Sequence, residues 1–205
     1  MSIVGSSPEI LVRLRDDVVA IRPIAGTRKR GKDAEEDAAN AEDMMRDVKE
    51  RAEHLMLLDL GRVSRPGSVK VKSNYEVEYY NNVMHIASQV EGTIRQNQDS
   101  VDAMIAGFPA GTVSGAPKIR AMQIIDELEP DRRGIYSGAV GCMSVSGDLD
   151  TCIALRTAIV TDSKMHVQAG AGIAYDSDPD AEYEETQNKA MALIRAAADA
   201  LRFVR

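Results

Sequence analysis

Between Gly138 and Tyr175 the chain reads GAVGCMSV, the turn pair Gly147-Asp148, TCIALRTAIV, the turn TDSK and MHVQAGAGIAY. Short apolar, β-branched runs punctuated by small turns are expected to form antiparallel strands, because a turn of this size cannot carry the crossover that parallel strands need. No stretch supplies the strand-helix-strand rhythm of a doubly wound sheet. The expected class is therefore α+β, with mostly antiparallel sheets packed with helices.

The rest of the chain fits that class. Ile10–Leu14 and Val18–Ile24 are expected strands around a turn at Arg15–Asp17, followed by the loop AGTRKRGKD. A long helical pattern runs from about Ala34 to Leu60. After RPGS come a strand, VKVK, a polar turn, and the mixed segment EYYNNVMHIASQVEGTI. Gln96–Phe108 is expected to be a short helix entered after a polar stretch, and FPAGTVSGAP is a loop rich in Gly and Pro. The next helix spans Pro117–Leu128, with Pro117 suited to the first helical position and Pro130 beyond the end. A last helix starts near Pro179 and runs towards the C-terminus.

With 205 residues, 44% of them hydrophobic, the chain is able to bury a substantial core. Its net charge of −7 and the lack of any Trp argue against a nucleic-acid footprint and against a polybasic membrane surface. An anionic substrate on such a protein needs a local cation. The opening MSIVGSSPEI has neither a basic nor an apolar leader region, and no run reaches the ~20 apolar residues of a membrane helix, so the expected location is the cytoplasm. Cys142 and Cys152 lie in apolar strand-like runs without metal-ligand spacing and are expected to be buried free thiols.

Two helices carry paired carboxylates. In the first, Met45, Val48, Ala52, Leu55 and Met56 cluster on one side as a core stripe, while Glu50, Glu53, His54 and Leu57 gather opposite. In the last helix Glu182, Glu185 and Lys189 share one stripe beside an apolar stripe of Tyr183, Ala190, Ile194 and Leu201. Each acidic face taken alone reads best as a solvated face, and Glu185 to Lys189 is an ordinary i,i+4 ion pair. Brought together, such faces repel unless a cation compensates them. All-oxygen ligation then points to Mg²⁺.

In TCIALRTAIV, alternation puts Arg156 on the face of Cys152, Ala154 and Ala158, which favours an arginine turned into a covered cavity, where it would hold a carboxylate. The glycines of QAGAGIA either admit an anion to the backbone or mark a strand crossing. GTVSGAPK lacks the spacing of a phosphate loop. His85, among apolar neighbours, reads as a satisfied core histidine. Nothing local singles out Glu9.

Taken in order, GSSPEILVR, IRPIAGTRKRG, DVKERAEHLMLLDLGR, VMHIASQVEGT, FPAGTVSGAPKIRAMQIIDELEP, RGIYSGAVG, LDTCIALRTA and QAGAGIAYDSDPDAEYEETQNKA resemble the chorismate-using enzymes. Within that family they are most similar to the synthase subunit of anthranilate synthase, over nearly the whole chain. The resemblance implies one chorismate-binding domain over residues 1–205, part of the anthranilate synthase fold. By the same comparison, it lacks the family's N-terminal region and a short loop between Arg62 and Val63.

The resemblance also implies roles. Glu50, Glu53, Glu182 and Glu185 match the family's Mg²⁺ site, with Glu53 and Glu185 as the usual direct ligands. Tyr136, Arg156, the backbone of Gly170, Ala171 and Gly172, and Lys189 match positions that hold the substrate's carboxylates, and Thr27 one near the ring. Glu9 matches a general acid for the departing hydroxyl. His85 matches a pocket histidine that positions groups or transfers a proton. The implied reaction is Mg²⁺-dependent amination of chorismate and loss of pyruvate to give anthranilate, in tryptophan biosynthesis. Ammonia would come from a glutamine amidotransferase partner, and homo- or hetero-oligomers are compatible with that. The alternatives are an aminodeoxychorismate synthase component and an incomplete chorismate-binding fragment.

Overall fold

The structure, a computed structural model, describes residues 1–46, 60, 62–80, 83–200 and 202, and of residues 25 and 27 the backbone alone. Its strands are β1 (Ser2–Gly5), β2 (Ile10–Arg15), β3 (Val18–Arg22), β4 (Ile24–Lys29), β5 (Lys70–Tyr79), β6 (Val83–Thr93), β7 (Ala139–Met143), β8 (Leu149–Ile153), β9 (Thr157–Thr161) and β10 (Lys164–Val167). The helices are α1 (Ala34–Arg46), α2 (Ser100–Gly107), α3 (Gly111–Ser114), α4 (Lys118–Leu128) and α5 (Pro179–Ala200). The chain divides into two compact units: a large-sheet unit of Glu9–Thr112 and Gly141–Cys152, and a small-sheet unit of Met1–Pro8, Val113–Val140 and Ile153–Arg205.

The large sheet has seven strands in the order β4-β6-β3-β2-β8-β7, with β5 also paired to β6. The pairings whose register is defined are antiparallel, as expected from the sequence. Strands β2 and β3 meet at Asp16 and Asp17, whose φ angles of 49° and 62° give the mirror-image turn that matches strand twist. A bulge between Ile10 and Val12 leaves the β2–β8 ladder irregular, and the Thr151 hydroxyl repairs it by donating to the Val12 carbonyl at 2.7 Å and accepting the Val12 N–H at 3.1 Å.

Strand β6 runs through the middle of the core. Met84, His85, Ile86, Ala87 and Ser88 are buried in succession, so both faces of the strand are covered. On one face Met84 and Ile86 pack with Ala41 and Met44 of α1, with Met45, Tyr75 and Val77 around them. Helix α2 lies against β2 so closely that a Cβ on Gly107 would come within 2.2 Å of the Val12 side chain. A reciprocal box starts α2: Asp99 accepts the N–H groups of Val101 at 2.8 Å and Asp102 at 3.1 Å, while Asp102 accepts that of Asp99 at 3.0 Å.

The small sheet is β1-β9-β10, and a second mirror-image turn at Asp162 and Ser163 joins β9 to β10, with φ angles of 50° and 59°.

The structure corrects several expectations. The expected loop AGTRKRGKD is strand as far as Lys29, because β6 is long enough to pair with β3 and then with β4. The polar turn after VKVK is absent: β5 continues to Tyr79 through two register shifts, with Tyr75 at φ 54° and its N–H bonded to the Ser88 hydroxyl at 3.0 Å. TCIALRTAIV is two strands in two sheets, interrupted where Ala154 N–H bonds the Gly138 carbonyl at 2.8 Å and Arg156 takes φ 47°. Helix α2 starts at Ser100, and Pro117 caps α4 from outside with extended backbone. Cys142 is exposed and Cys152 half-buried, both free. No residue of α5 is buried, and Tyr183 and Ile194 of its apolar stripe lie exposed.

Of the expected helix Ala34–Leu60, residues up to Arg46 are seen as α1, while Val48, Glu50, Ala52, Glu53, His54, Leu55, Met56 and Leu57 lie outside the described residues. Among the described residues no helix is long and apolar enough to cross a membrane.

Candidate functional site

In the large-sheet unit, Glu9 directly precedes β2 and is only 5% exposed. Its Oε1 accepts a hydrogen bond from the Thr112 hydroxyl at 2.7 Å, at the start of α3. A carboxyl group so enclosed has its orientation set by the protein and not by water.

His85 is buried in β6, with Nδ1 2.9 Å from the Gly26 carbonyl oxygen. Since a carbonyl only accepts, Nδ1 carries a proton and donates it to Gly26. The Tyr80 ring meets it edge-on at 5.8 Å. Across the strand pair, Glu78 stands opposite His85. Burial works to raise the Glu78 carboxyl, but hydrogen bonds from Arg22 and from Tyr80, the latter at 2.8 Å, outweigh it and hold Glu78 below its ordinary pKa. The same bond to Glu78 raises Arg22. The backbone of Thr27 lies in β4, next to Gly26. A groove of about 280 Å³ lined by Ile10, Arg13, Ala20, Ile21, Arg22 and Gln89 contains none of the predicted site residues.

The small-sheet unit carries the other described candidates. Gly170 to Gly172 lie between β10 and α5. A Cβ on Gly170 would sit 3.0 Å from the Tyr136 hydroxyl, so glycine there lets backbone and phenol approach. Burial raises the Tyr136 phenol above its usual pKa, with Arg133 and the Gly170 N–H pulling the other way. Lys189, on α5, donates to the Gly170 carbonyl at 3.0 Å and pairs with Glu185 at 2.5 Å. Glu182, one turn earlier, accepts from the Ser177 hydroxyl at 2.6 Å. Tyr136, Gly170, Lys189 and Glu185 are thus brought together.

Arg156 is not in a covered cavity. It is exposed, because the strand breaks just before it, and its carbonyl accepts the Ser6 N–H at 3.2 Å.

Of the proposed metal ligands, Glu50 and Glu53 lie outside the described residues. Glu182 and Glu185 share a helix face and offer only hard carboxylate oxygens, a donor set that suits Mg²⁺. Among the described residues no three His, Cys, Asp or Glu side chains converge, so this pair alone does not make up a metal site.

Sequence reasoning missed Thr112, Glu78, Tyr80 and Arg133. Thr112 lies in a segment read as loop, Glu78 and Tyr80 flank the end of a strand that runs further than expected, and nothing local singles out Arg133.

The family model of chorismate binding enzymes matches residues 1–195. The chain belongs to the chorismate binding enzymes, and its α+β architecture of antiparallel sheets and helices is that family's fold. It is 58% identical over 208 residues to anthranilate synthase component 1 of Cereibacter sphaeroides, which covers 99% of this chain and 42% of that protein. It is 57% identical over 201 residues to the same component of Aquifex aeolicus, covering 96% and 41%.

Among solved structures, anthranilate synthase component I from Streptococcus pneumoniae superposes with a TM-score of 0.83 at 48% identity, over 93% of this chain and 43% of that one. The menaquinone-specific isochorismate synthase of Escherichia coli gives 0.81 at 29% identity, over 93% and 45%. The chain spans about two fifths of the length of the curated relatives it matches.

Proposed function

We propose that the chain is the chorismate-binding part of an anthranilate synthase component 1, a lyase that aminates chorismate and eliminates pyruvate to give anthranilate in tryptophan biosynthesis. The observation that carries this reading is the 58% identity to such a component across 99% of the chain. The 29% identity to an isochorismate synthase of the same fold is far lower. Both compact units belong to one chorismate-binding domain on this reading, since the family match runs through both. The cytoplasm is the expected compartment. A glutamine amidotransferase subunit supplies ammonia.

The residues divide the work. Glu9, oriented by Thr112, gives its proton to the hydroxyl oxygen that leaves the ring as ammonia adds beside the carboxylate-bearing carbon. His85, anchored through Nδ1 to the Gly26 carbonyl, positions groups or moves a proton. Thr27 stands near the ring. Tyr136, Arg156, Lys189 and the backbone at Gly170 to Gly172 hold carboxylates. Glu182 and Glu185, with Glu50 and Glu53, hold Mg²⁺, which when bound neutralises the ring carboxylate.

The test is anthranilate fluorescence after mixing the protein with chorismate, an ammonium salt and Mg²⁺, with an EDTA control. An EDTA-sensitive anthranilate signal supports the reading. Release of aminodeoxychorismate instead, or chorismate binding without pyruvate release, overturns it. Glu185→Ala is expected to abolish Mg²⁺-dependent chorismate binding while circular dichroism stays unchanged.

A further inference from the structure

Arg133 follows α4 in the segment EPDRRGIY, and its side chain is only 23% exposed. Its guanidinium is engaged on every side. Nε lies 2.9 Å and 3.1 Å from the two Glu129 carboxylate oxygens, and Nη2 lies 2.5 Å from one of them. Nη1 donates to the Val113 carbonyl at 2.6 Å and to the Ser137 hydroxyl at 3.3 Å. The guanidinium carbon is 5.8 Å from the centre of the Tyr136 ring. The Arg133 carbonyl also accepts the Tyr136 N–H at 3.1 Å.

This arrangement suits arginine and not lysine. A planar fork is able to face a carboxylate with one edge, tie down a carbonyl with another nitrogen and still lie against a ring, whereas an ammonium is a single point of charge. The ring it holds is the one whose hydroxyl abuts Gly170, and Gly170 in turn accepts from Lys189. Glu129 and Arg133 therefore stand at one end of a chain of contacts whose other end is Lys189 and Glu185.

We propose that Arg133 is a positioning residue which fixes the Tyr136 hydroxyl against Gly170, so that the phenol and the adjoining backbone are pre-set for a carboxylate of the substrate. The proposal rests on the reading that this unit binds chorismate. Arg132, exposed beside it, provides the control.

The experiment uses the whole chain labelled with ¹³C at the tyrosine ring, comparing wild type with Arg133→Met, Arg133→Lys, Arg132→Met, Tyr136→Phe and the Arg133→Met/Tyr136→Phe double variant. Tyr136→Phe assigns the Tyr136 resonance. In Arg133→Met that resonance is expected to move and the phenol to titrate at higher pH, since a cation that favours the phenolate is gone. Arg133→Lys should restore most of the titration, and Arg132→Met should leave it alone. With Mg²⁺ present, chorismate affinity should fall about tenfold in Arg133→Met, in keeping with the loss of one cation-ring contact and its fork. The double variant should bind no more weakly than Tyr136→Phe, because the arginine acts through the tyrosine.

A Tyr136 titration unmoved in Arg133→Met overturns the proposal, as do affinity losses that multiply in the double variant. If Arg133→Met fails to fold, Arg133→Lys carries the test: affinity and resonance both as in wild type would overturn the need for the fork. A folded wild-type chain that binds no chorismate overturns the functional reading and the substrate role of Tyr136 with it. The titration needs no ligand and decides separately whether Arg133 holds the ring.

Discussion

In the large-sheet unit Val19, Met84, Ile86 and Val90 are completely buried, whereas neither α4 nor α5 of the small-sheet unit has a single buried residue. Leu128, at the end of α4, is 75% exposed. Apolar burial is the dominant favourable contribution to folding, and it is concentrated in the unit that carries Glu9 and His85. The helices of the small-sheet unit are tied down by polar contacts: the Arg133 fork, the Lys189 bond to Gly170 and the Glu182 bond to Ser177. Such bonds contribute about 0.5–1.5 kcal/mol each after exchange with water. The difference teaches that most of the described substrate-contact candidates stand on the part of the molecule with the smaller apolar reserve.

The sharpest way to break this comparison is Met84→Ala. Truncating a fully buried methionine in β6 should lower unfolding free energy by about 3 kcal/mol, read from urea denaturation. A loss near zero would show that β6 is not the structural centre.

A smaller effect is expected from Arg22→Met, about 1–2 kcal/mol, because it strips Glu78 of a partner in a half-buried setting. That variant also has a pH signature. Glu78 is held below its ordinary pKa, so its stabilising contribution is present above the unfolded carboxylate value near ~4.3 and is lost as pH falls through the folded value. Urea midpoints measured as a function of pH should therefore fall less steeply on the acid side in Arg22→Met than in wild type.

Asp99→Ala removes the acceptor that starts α2 and should cost about 1 kcal/mol by the same measurement. Smallest of all, Ile194→Ser on α5 should change stability by less than about 0.5 kcal/mol. A loss above about 1 kcal/mol there would mean that α5 buries its apolar side and that the contrast between the units is false.

Some of this was legible in the letters. The hairpin turns at Asp16-Asp17 and Asp162-Ser163 were visible because Asp and Ser tolerate positive φ, and those positions need it. The antiparallel class followed from short turns. The length of β5 was not legible, since its polar middle, SNYEVE, pairs with β6 through irregular register that no alternation rule anticipates. The break before Arg156 was hidden because an apolar alternation continued straight through it.

At the site, each acidic face taken alone read better as a solvated face than as a metal site, and the roles came from the resemblance. Thr112 acts on Glu9, 103 residues away in sequence, and only the fold brings those two together, whereas Arg133 meets Tyr136 within one turn of chain and needed the side-chain geometry to be seen.

The irregular register of β5 also bears on how the sheet meets other chains. As an outer strand it presents an edge with two register shifts and a residue at positive φ, a poor template for another strand to pair with. The opposite edge, β7, is short but exposed along its whole length, with Val140 and Met143 at the surface. Of these two edges, β7 is the better template for another strand.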